Sequence, residues 1–243
     1  MPTDTLAFVP ARSGSRGLPG KNLRPFLGRP LLEWSLEVAE KCDSVIRSVL
    51  TSDSDLYLRH TDAFSKAVGL KRPAELAEND TPMSAVTSHV AKSQHDITPE
   101  YILLLDPTSP FRNPSEIENA LWLLRERSEF AGAVSISQPD FNMRWVGVQK
   151  DPDDAITRAF AGGSQYASRQ QVPPLWRMNG TFYIWRTEFA RQISDPWLEQ
   201  GLHLGIETPE ERAFSIDTLR EFEIAETLVR MGLIDWEIAP NAL

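Results

Sequence analysis

Arg12, Arg16 and Lys21 stand in the stretch FVPARSGSRGLPGKNL, residues 8–23, among three glycines and two prolines. From Ala11 to Arg29 there are five Arg or Lys residues and no acid, although the whole chain carries a formal charge of -9. A local cation cluster in an acidic protein points to a local anionic ligand. Small residues expose backbone N–H groups that can meet phosphate oxygens, and the three cations supply charge to meet a triphosphate. Two familiar phosphate motifs nevertheless fail by count. A P-loop ending at Gly20-Lys21 would need Gly where Ser15 stands and Ser or Thr where Asn22 stands, and no two glycines here are one residue apart, as the dinucleotide fingerprint requires. The competing reading is a surface loop with scattered cations, which leaves the missing acids unexplained.

Other reactive side chains are sparse. His60, His89, His95 and His203 never fall at metal-ligand or triad spacing and read as surface or helix-face residues. The lone Cys42, at the end of a helical pattern, reads as a small core residue in a reducing, cytoplasmic setting. An acidic chain without aromatic-basic interleaving argues against a nucleic-acid partner. No run approaches the roughly 18 apolar residues of a membrane helix. The N-terminus, MPTDTLAFVPAR, lacks a basic region followed by an apolar core, so no signal peptide is expected.

The elements that must position the basic loop follow from periodicity. Leu6–Val9 is an apolar run suited to a buried strand, and residues 30–41 repeat apolar side chains at helical spacing. Ser44–Leu50 reads as a strand ending in the polar TSDSD, and 54–68 as a helix closed by Gly69. Met83–Lys92 is helical, YILLL at 101–105 is a strand, and Asn113-Pro114 or Ser115 can cap a helix reaching Arg127. Gly132–Ser137 and Phe182–Trp185 read as strands, and 218–232 as a final helix. At 243 residues this predicts one α/β domain with a mostly parallel sheet covered on both faces. Residues 138–180 break the pattern with Pro and Gly clusters, an excursion of the size that often forms a lid or an oligomer arm.

The stretch PARSGSRGLPGKNL resembles the signature of acylneuraminate cytidylyltransferases, the CMP-sialic acid synthetases and their CMP-ketosugar relatives. The resemblance runs through TSDSD, KRPAELAEND, LLLDPTSPFR, SRQQVPPLWRMNGTFYI and SIDTLREFEIAE in family order. It implies a three-layer nucleotidyltransferase domain with a protruding dimerisation element where the 138–180 excursion lies. It also implies a reaction joining CTP to the anomeric hydroxyl of a nine-carbon 2-keto sugar acid, with Mg²⁺ assisting and pyrophosphate leaving. By motif match, Arg12, Ser15, Arg16 and Lys21 would hold the triphosphate, and Asn22 would contact the nucleotide near its ribose. Arg72 would read the cytosine edge, or else pair with Glu75 or Glu78; Ser84 is a further base contact. Arg12, Lys21 and Asp217 are the expected catalytic groups.

For the acidic ketosugar, the resemblance implies Arg144, Arg169 and Arg177, because Arg's planar fork suits a carboxylate, with Asn179 and Tyr183 lining the pocket. Each Arg can equally form a solvated or interface salt bridge. A homodimer is expected from Trp145, Trp176 and Trp197 among Phe141, Val146 and Leu175, too much aromatic surface for a short element to bury by itself. Two departures concern the metal. Relatives usually carry D-x-D where this chain reads Ser215-Ile216-Asp217, and Gln where it has Asp106. The lost carboxylate at 215 is then replaced by one gained at 106, so that Asp106 and Asp217 hold Mg²⁺. Otherwise Asp106 caps the PTSP turn and contacts the sugar, and Asp217 supplies charge to the helix that follows.

Overall fold

The structure, a computed structural model, describes residues 2–14 and 17–240; the expected contacts of Ser15 and Arg16 therefore lie outside the described residues. TLAFVP forms β1 (Thr5–Pro10), which is buried along its whole length. Two short strands, β2 (Pro25–Phe26) and β3 (Arg29–Pro30), make a hairpin ahead of α1 (Leu31–Lys41). There follow β4 (Val45–Ser52), α2 (Asp55–Leu58), β5 (Ala67–Lys71), α3 (Met83–Ser93), β6 (Tyr101–Leu104), α4 (Pro114–Glu126) and β7 (Gly132–Ser137). The excursion carries α5 (Met143–Val146) and the antiparallel hairpin β8 (Val148–Lys150) and β9 (Ile156–Arg158). The chain returns through β10 (Arg177–Arg186) and continues through α6 (Thr187–Gln192), β11 (His203–Glu207) and α7 (Leu219–Arg230).

Seven strands form one sheet in the order β11-β7-β10-β6-β1-β4-β5, in which β10 runs antiparallel to both neighbours and the other pairs are parallel. Alternation along β1 sends Ala7 and Val9 to the face covered by α1 and α4, and Leu6 and Phe8 to the face covered by α3 and α6. The mostly parallel, helix-covered sheet is as expected. A third cluster stands beside the sheet, where Phe26, Trp34, Phe111, Phe222 and Trp236 pack as tilted and edge-on rings. No helix among the described residues is long and apolar enough to cross a membrane.

Several expectations need correction. The helix expected over 54–68 stops at Leu58, passes into a 3₁₀ turn (Arg59–Ala63) and is followed by β5, which runs through Gly69. Strand β5 occupies the edge of the sheet, so its exposed Val68 and Gly69 give it no strong apolar signature. β10 begins five residues before Phe182, inside the stretch read as irregular, and the hairpin of β8 and β9 lies there as well. Trp197 does not join an outward aromatic surface: it packs edge-on against Trp185 and Tyr183 of its own sheet. His203 is neither surface nor helix-face, since it sits on β11 between the rings of Phe189 and Trp197. Cys42 is fully buried at the end of α1, and burial pushes its thiol pKa up, as befits a core residue.

The register of the sheet dictates where a site can form. Pro10 pairs with Thr51, Ser52 with Lys71 and Phe8 with Leu104, so β1, β4, β5 and β6 all end at one edge. Ligands of open α/β sheets bind at the carboxyl ends of parallel strands. Because β10 is antiparallel, its beginning faces the same edge, with Tyr183 opposite Leu104.

Candidate functional site

The loop leaving β1 is tied down before it can reach a ligand. The Ser13 amide and hydroxyl donate to the two oxygens of Asp53, just beyond β4, at 2.8 and 2.7 Å. Partial burial disfavours the charged form of Asp53, but the Ser13 hydrogen bonds outweigh it and hold the carboxyl below its ordinary range. Gly17 approaches the opposite wall so closely that a Cβ there would stand 2.4 Å from the Asp217 carbonyl oxygen, leaving no room for any side chain. Gly20 adopts a left-handed conformation, φ 66°, and starts the 3₁₀ turn Lys21–Leu23.

That turn buries Lys21 and Asn22. Lys21 Nζ donates to Asp217 Oδ1 at 2.7 Å, while the Ser215 hydroxyl donates to Asp217 Oδ2 at 3.0 Å. Burial opposes ionisation of Asp217, and Lys21 more than reverses this, drawing the carboxyl below its usual range. The hydrogen-bonding cap of the following helix is a reciprocal box between the Thr218 side chain and Glu221, so the Asp217 oxygens are not used as its cap. Asn22 donates to the Arg12 carbonyl at 3.4 Å, and Arg12 donates to Asn79 Oδ1 at 2.6 Å.

Arg72 follows β5 directly and is 5% exposed. It pairs with neither Glu75 nor Glu78; its guanidinium donates to the Thr51 carbonyl at 2.8 Å and the Thr51 hydroxyl at 3.3 Å. Burial pulls its pKa down to about 10, with Asp53 opposing, so it remains a cation at neutral pH. Arg12, Lys21, Asn22, Arg72, Asp106 and Asp217 all line one cavity of ≈ 230 Å³.

A second cavity of ≈ 320 Å³ adjoins it and shares Met83, Asp106 and Thr108. Its wall is aromatic: Tyr183 and Trp185 stack with centroids 5.7 Å apart, and Trp197 closes edge-on against both. Among the described residues its lining contains no Lys or Arg, and its one carboxylate is Asp106. Asp106 Oδ1 accepts from the Thr108 amide at 2.9 Å, the turn-capping role that was one of its two readings, and among the described residues Oδ2 has no hydrogen-bond partner. Ser84 lines this cavity and not the cationic one, and its hydroxyl donates to Asp195 at 2.7 Å.

The residues expected around a sugar acid are only partly brought together. Asn179 and Tyr183 line the aromatic cavity. The Asn179 amide is committed internally, donating to Thr208 Oγ1 at 2.7 Å and accepting from the Thr181 amide and hydroxyl. It braces a bulge in β10 where Gly180, φ 75°, turns the chain. Arg177 forms the salt bridge that was its alternative, to Glu210 at 2.9 Å. Arg144 and Arg169 are exposed on the excursion and line neither cavity within this chain. Sequence reasoning did not assign Trp185, Trp197, Thr108, Ser109 or Asp53 to the site, although the TSDSD and PTSP segments that carry three of them were noted.

Comparison with known proteins agrees with this architecture. The model of a family described as "Cytidylyltransferase" matches residues 6–237. The chain is 33% identical over 230 residues to an N-acylneuraminate cytidylyltransferase of Escherichia coli, covering 94% of this chain and 52% of that protein. It therefore spans about half the length of that relative. It is 25% identical to a CMP-N,N'-diacetyllegionaminic acid synthase of Legionella pneumophila, over 93% of this chain and 97% of that one. In fold it is similar to a CMP:2-keto-3-deoxy-manno-octonic acid synthetase solved with CTP, with a TM-score of 0.69, 17% identity, and coverage of 94% and 99%.

Proposed function

We propose, on the premise that this chain belongs to the cytidylyltransferase family, that it transfers CMP from CTP to the anomeric hydroxyl of a nine-carbon 2-keto sugar acid of the sialic or legionaminic type. The observation that carries the reading is the pair of adjoining cavities, one cationic and one aromatic, that meet at Asp106 and Thr108. The cationic cavity receives the nucleotide. Arg12 and Lys21 neutralise the triphosphate, Asn22 faces the ribose and Arg72 donates to the cytosine edge. The aromatic cavity receives the acceptor, so that the anomeric oxygen meets the α-phosphorus at the shared boundary. A new bond forms between that oxygen and phosphorus while the bond to the pyrophosphate oxygen breaks, and the hydroxyl proton is released to solvent. No covalent protein nucleophile is needed, so positioning and charge neutralisation supply most of the rate.

Mg²⁺ belongs to this reading. Asp106 and Asp217 line the cationic cavity, and among the described residues no group of three or more His, Cys, Asp and Glu could hold a metal ion. Such a donor set fits Mg²⁺, which commonly takes one or two carboxylates and completes its shell with substrate phosphates and water. When bound, Mg²⁺ would neutralise developing phosphate charge. The chain's own task there is to hold both carboxylates, Asp217 through Lys21 and Ser215, and Asp106 through the Thr108 amide.

The excursion supports a homodimer. Phe141, Met143, Val146, Val148, Ile156 and Phe160 are all exposed on it, between 41% and 72%. Among the described residues the aromatic cavity is lined by no cation for the acceptor carboxylate, so Arg144 and Arg169 are assigned to a partner copy's cavity. Light scattering at micromolar protein is expected to show a dimer; a monomer would remove this shared site.

Pyrophosphate release with CTP and a panel of ulosonic acids tests the whole reading. Nine-carbon acceptors bearing acyl groups are expected to react fastest. Preference for the eight-carbon octulosonate would move the chain to that branch, and CTP binding without turnover on any acceptor would make it a non-catalytic nucleotide-binding protein.

A further inference from the structure

Arg112 stands apart from every group used so far. Its side chain is 0% exposed, and no carboxylate among the described residues forms a salt bridge with it. Buried charges are normally paired with an opposite charge, so this guanidinium must be held by something else. It donates to three acceptors on three different elements: the Asp106 carbonyl, the Thr181 carbonyl of β10 and, at 2.9 Å, the Ser35 hydroxyl of α1. Its own backbone is fixed by the Trp236 indole, which donates to the Arg112 carbonyl at 3.1 Å.

Two of those acceptors adjoin the cavities: Asp106 lines both, and Thr181 follows Asn179 and Gly180 of the aromatic one. The Asp106 carbonyl begins the turn that carries Asp106, Thr108 and Ser109, and it also accepts from the Ser109 amide at 3.2 Å. The Thr108 carbonyl in turn accepts from the Ile216 amide at 2.8 Å, next to Asp217. A connected path therefore runs from Arg112 through Asp106 and Thr108 to Ile216 and Asp217. The Thr181 bond sets the same turn against the Gly180 bulge, where a Cβ would stand 3.6 Å from Ser109 Oγ.

We infer that Arg112 is a positioning residue, whose buried fork fixes the Asp106–Ser109 turn and thereby the spacing of the Asp106 and Asp217 carboxylates across the nucleotide cavity. The inference rests on the reading that these two carboxylates serve the transfer reaction. Lysine cannot reproduce the device, because a point charge with a flexible stem does not span three acceptors in a fixed plane. Burial pulls the guanidinium pKa down to about 9, with the Asp106 carboxylate opposing.

Hydrogen–deuterium exchange of the free protein, alongside steady-state kinetics, tests this in Arg112→Lys. The amides of Thr108 and Ile216 are expected to exchange about tenfold faster, with those of Phe8 and Val49 in the central strands unchanged, as local opening requires. Turnover should fall about 100-fold with the KM for CTP changed by less than about threefold, because a misplacement near 1 Å has that effect. If Arg112→Lys does not fold, Ser35→Ala carries the test, removing one anchor from the fork. There the same two amides should exchange about threefold faster, with turnover reduced about threefold, the size of one hydrogen bond. Unchanged protection at Thr108 and Ile216, acceleration equal to that at Phe8 and Val49, or full turnover in the folded variant overturns the inference. The exchange pattern needs no acceptor, so it stands or falls separately from the identity of the sugar.

Discussion

The two cavities are built on opposite principles. The cationic one takes its functional groups from loops at the ends of β1, β5 and β6 and ties each to a partner already in the chain: Arg12 to Asn79, Lys21 to Asp217, Arg72 to Thr51. The aromatic one is an opening in the hydrophobic face formed with α3 and α6, and its shape comes from Tyr183, Trp185 and Trp197. The charged groups are thus preorganised by hydrogen bonds, and the aromatic wall by packing. Substitutions on the two sides should therefore separate cleanly in kinetics, and those at the shared Met83, Asp106 and Thr108 should disturb both.

The largest effect is expected at Lys21. Lys21→Met removes the buried ammonium and leaves Asp217 without its partner, so kcat should fall about 1,000-fold, the upper range for one electrostatic group at a transition state. The acceptor KM should hold, and steady-state assays over both substrates read the two quantities apart. Asp106→Asn comes next, since it preserves shape while removing charge. Turnover should drop about 100-fold, with a raised Mg²⁺ requirement in a metal titration. Near-normal turnover with only a shifted acceptor KM would assign Asp106 to the acceptor alone.

Arg72→Ala sharpens the nucleotide side. Loss of hydrogen bonds from a charged donor is expected to weaken CTP binding about 30-fold by calorimetry, the equivalent of about 2 kcal/mol. Unchanged CTP affinity with a large fall in Tm would instead mark Arg72 as a brace for β4. Trp197→Ala should have the smallest effect, on the other side: an acceptor KM raised about tenfold by loss of an aromatic wall, with CTP affinity untouched.

The same contrast explains what could be read from the sequence. The cationic loop is contiguous, so its acid-free composition was legible before any fold was known. β1 and β6 were legible too, as continuous apolar runs, and α1 and α4 as periodic apolar faces, each within one segment. The aromatic cavity was not. Its lining comes from α3, the turn after β6, β10 and the loop after α6, and only the tertiary fold puts Ser84 beside Asp195, 111 residues away. Trp197 could not be told from an interface residue by type alone, because its ring partners Tyr183 and Trp185 lie on a strand 12 or more positions earlier and His203 on another strand after it. Arg112 was invisible as a functional residue because nothing in PTSPFR says that its charge is buried.

The reversed direction of β10 has a consequence for how such a chain can diversify. Ser137 at the end of β7 pairs with Arg177 at the start of β10, so the whole excursion departs from and returns to a single rung at the rim of the site. Everything between those two residues can be lengthened, shortened or exchanged without altering any pairing of the seven-stranded sheet. The excursion is in that sense a cassette plugged into the rim of the two cavities, exchangeable while the cationic residues on the far side of β6 keep their places.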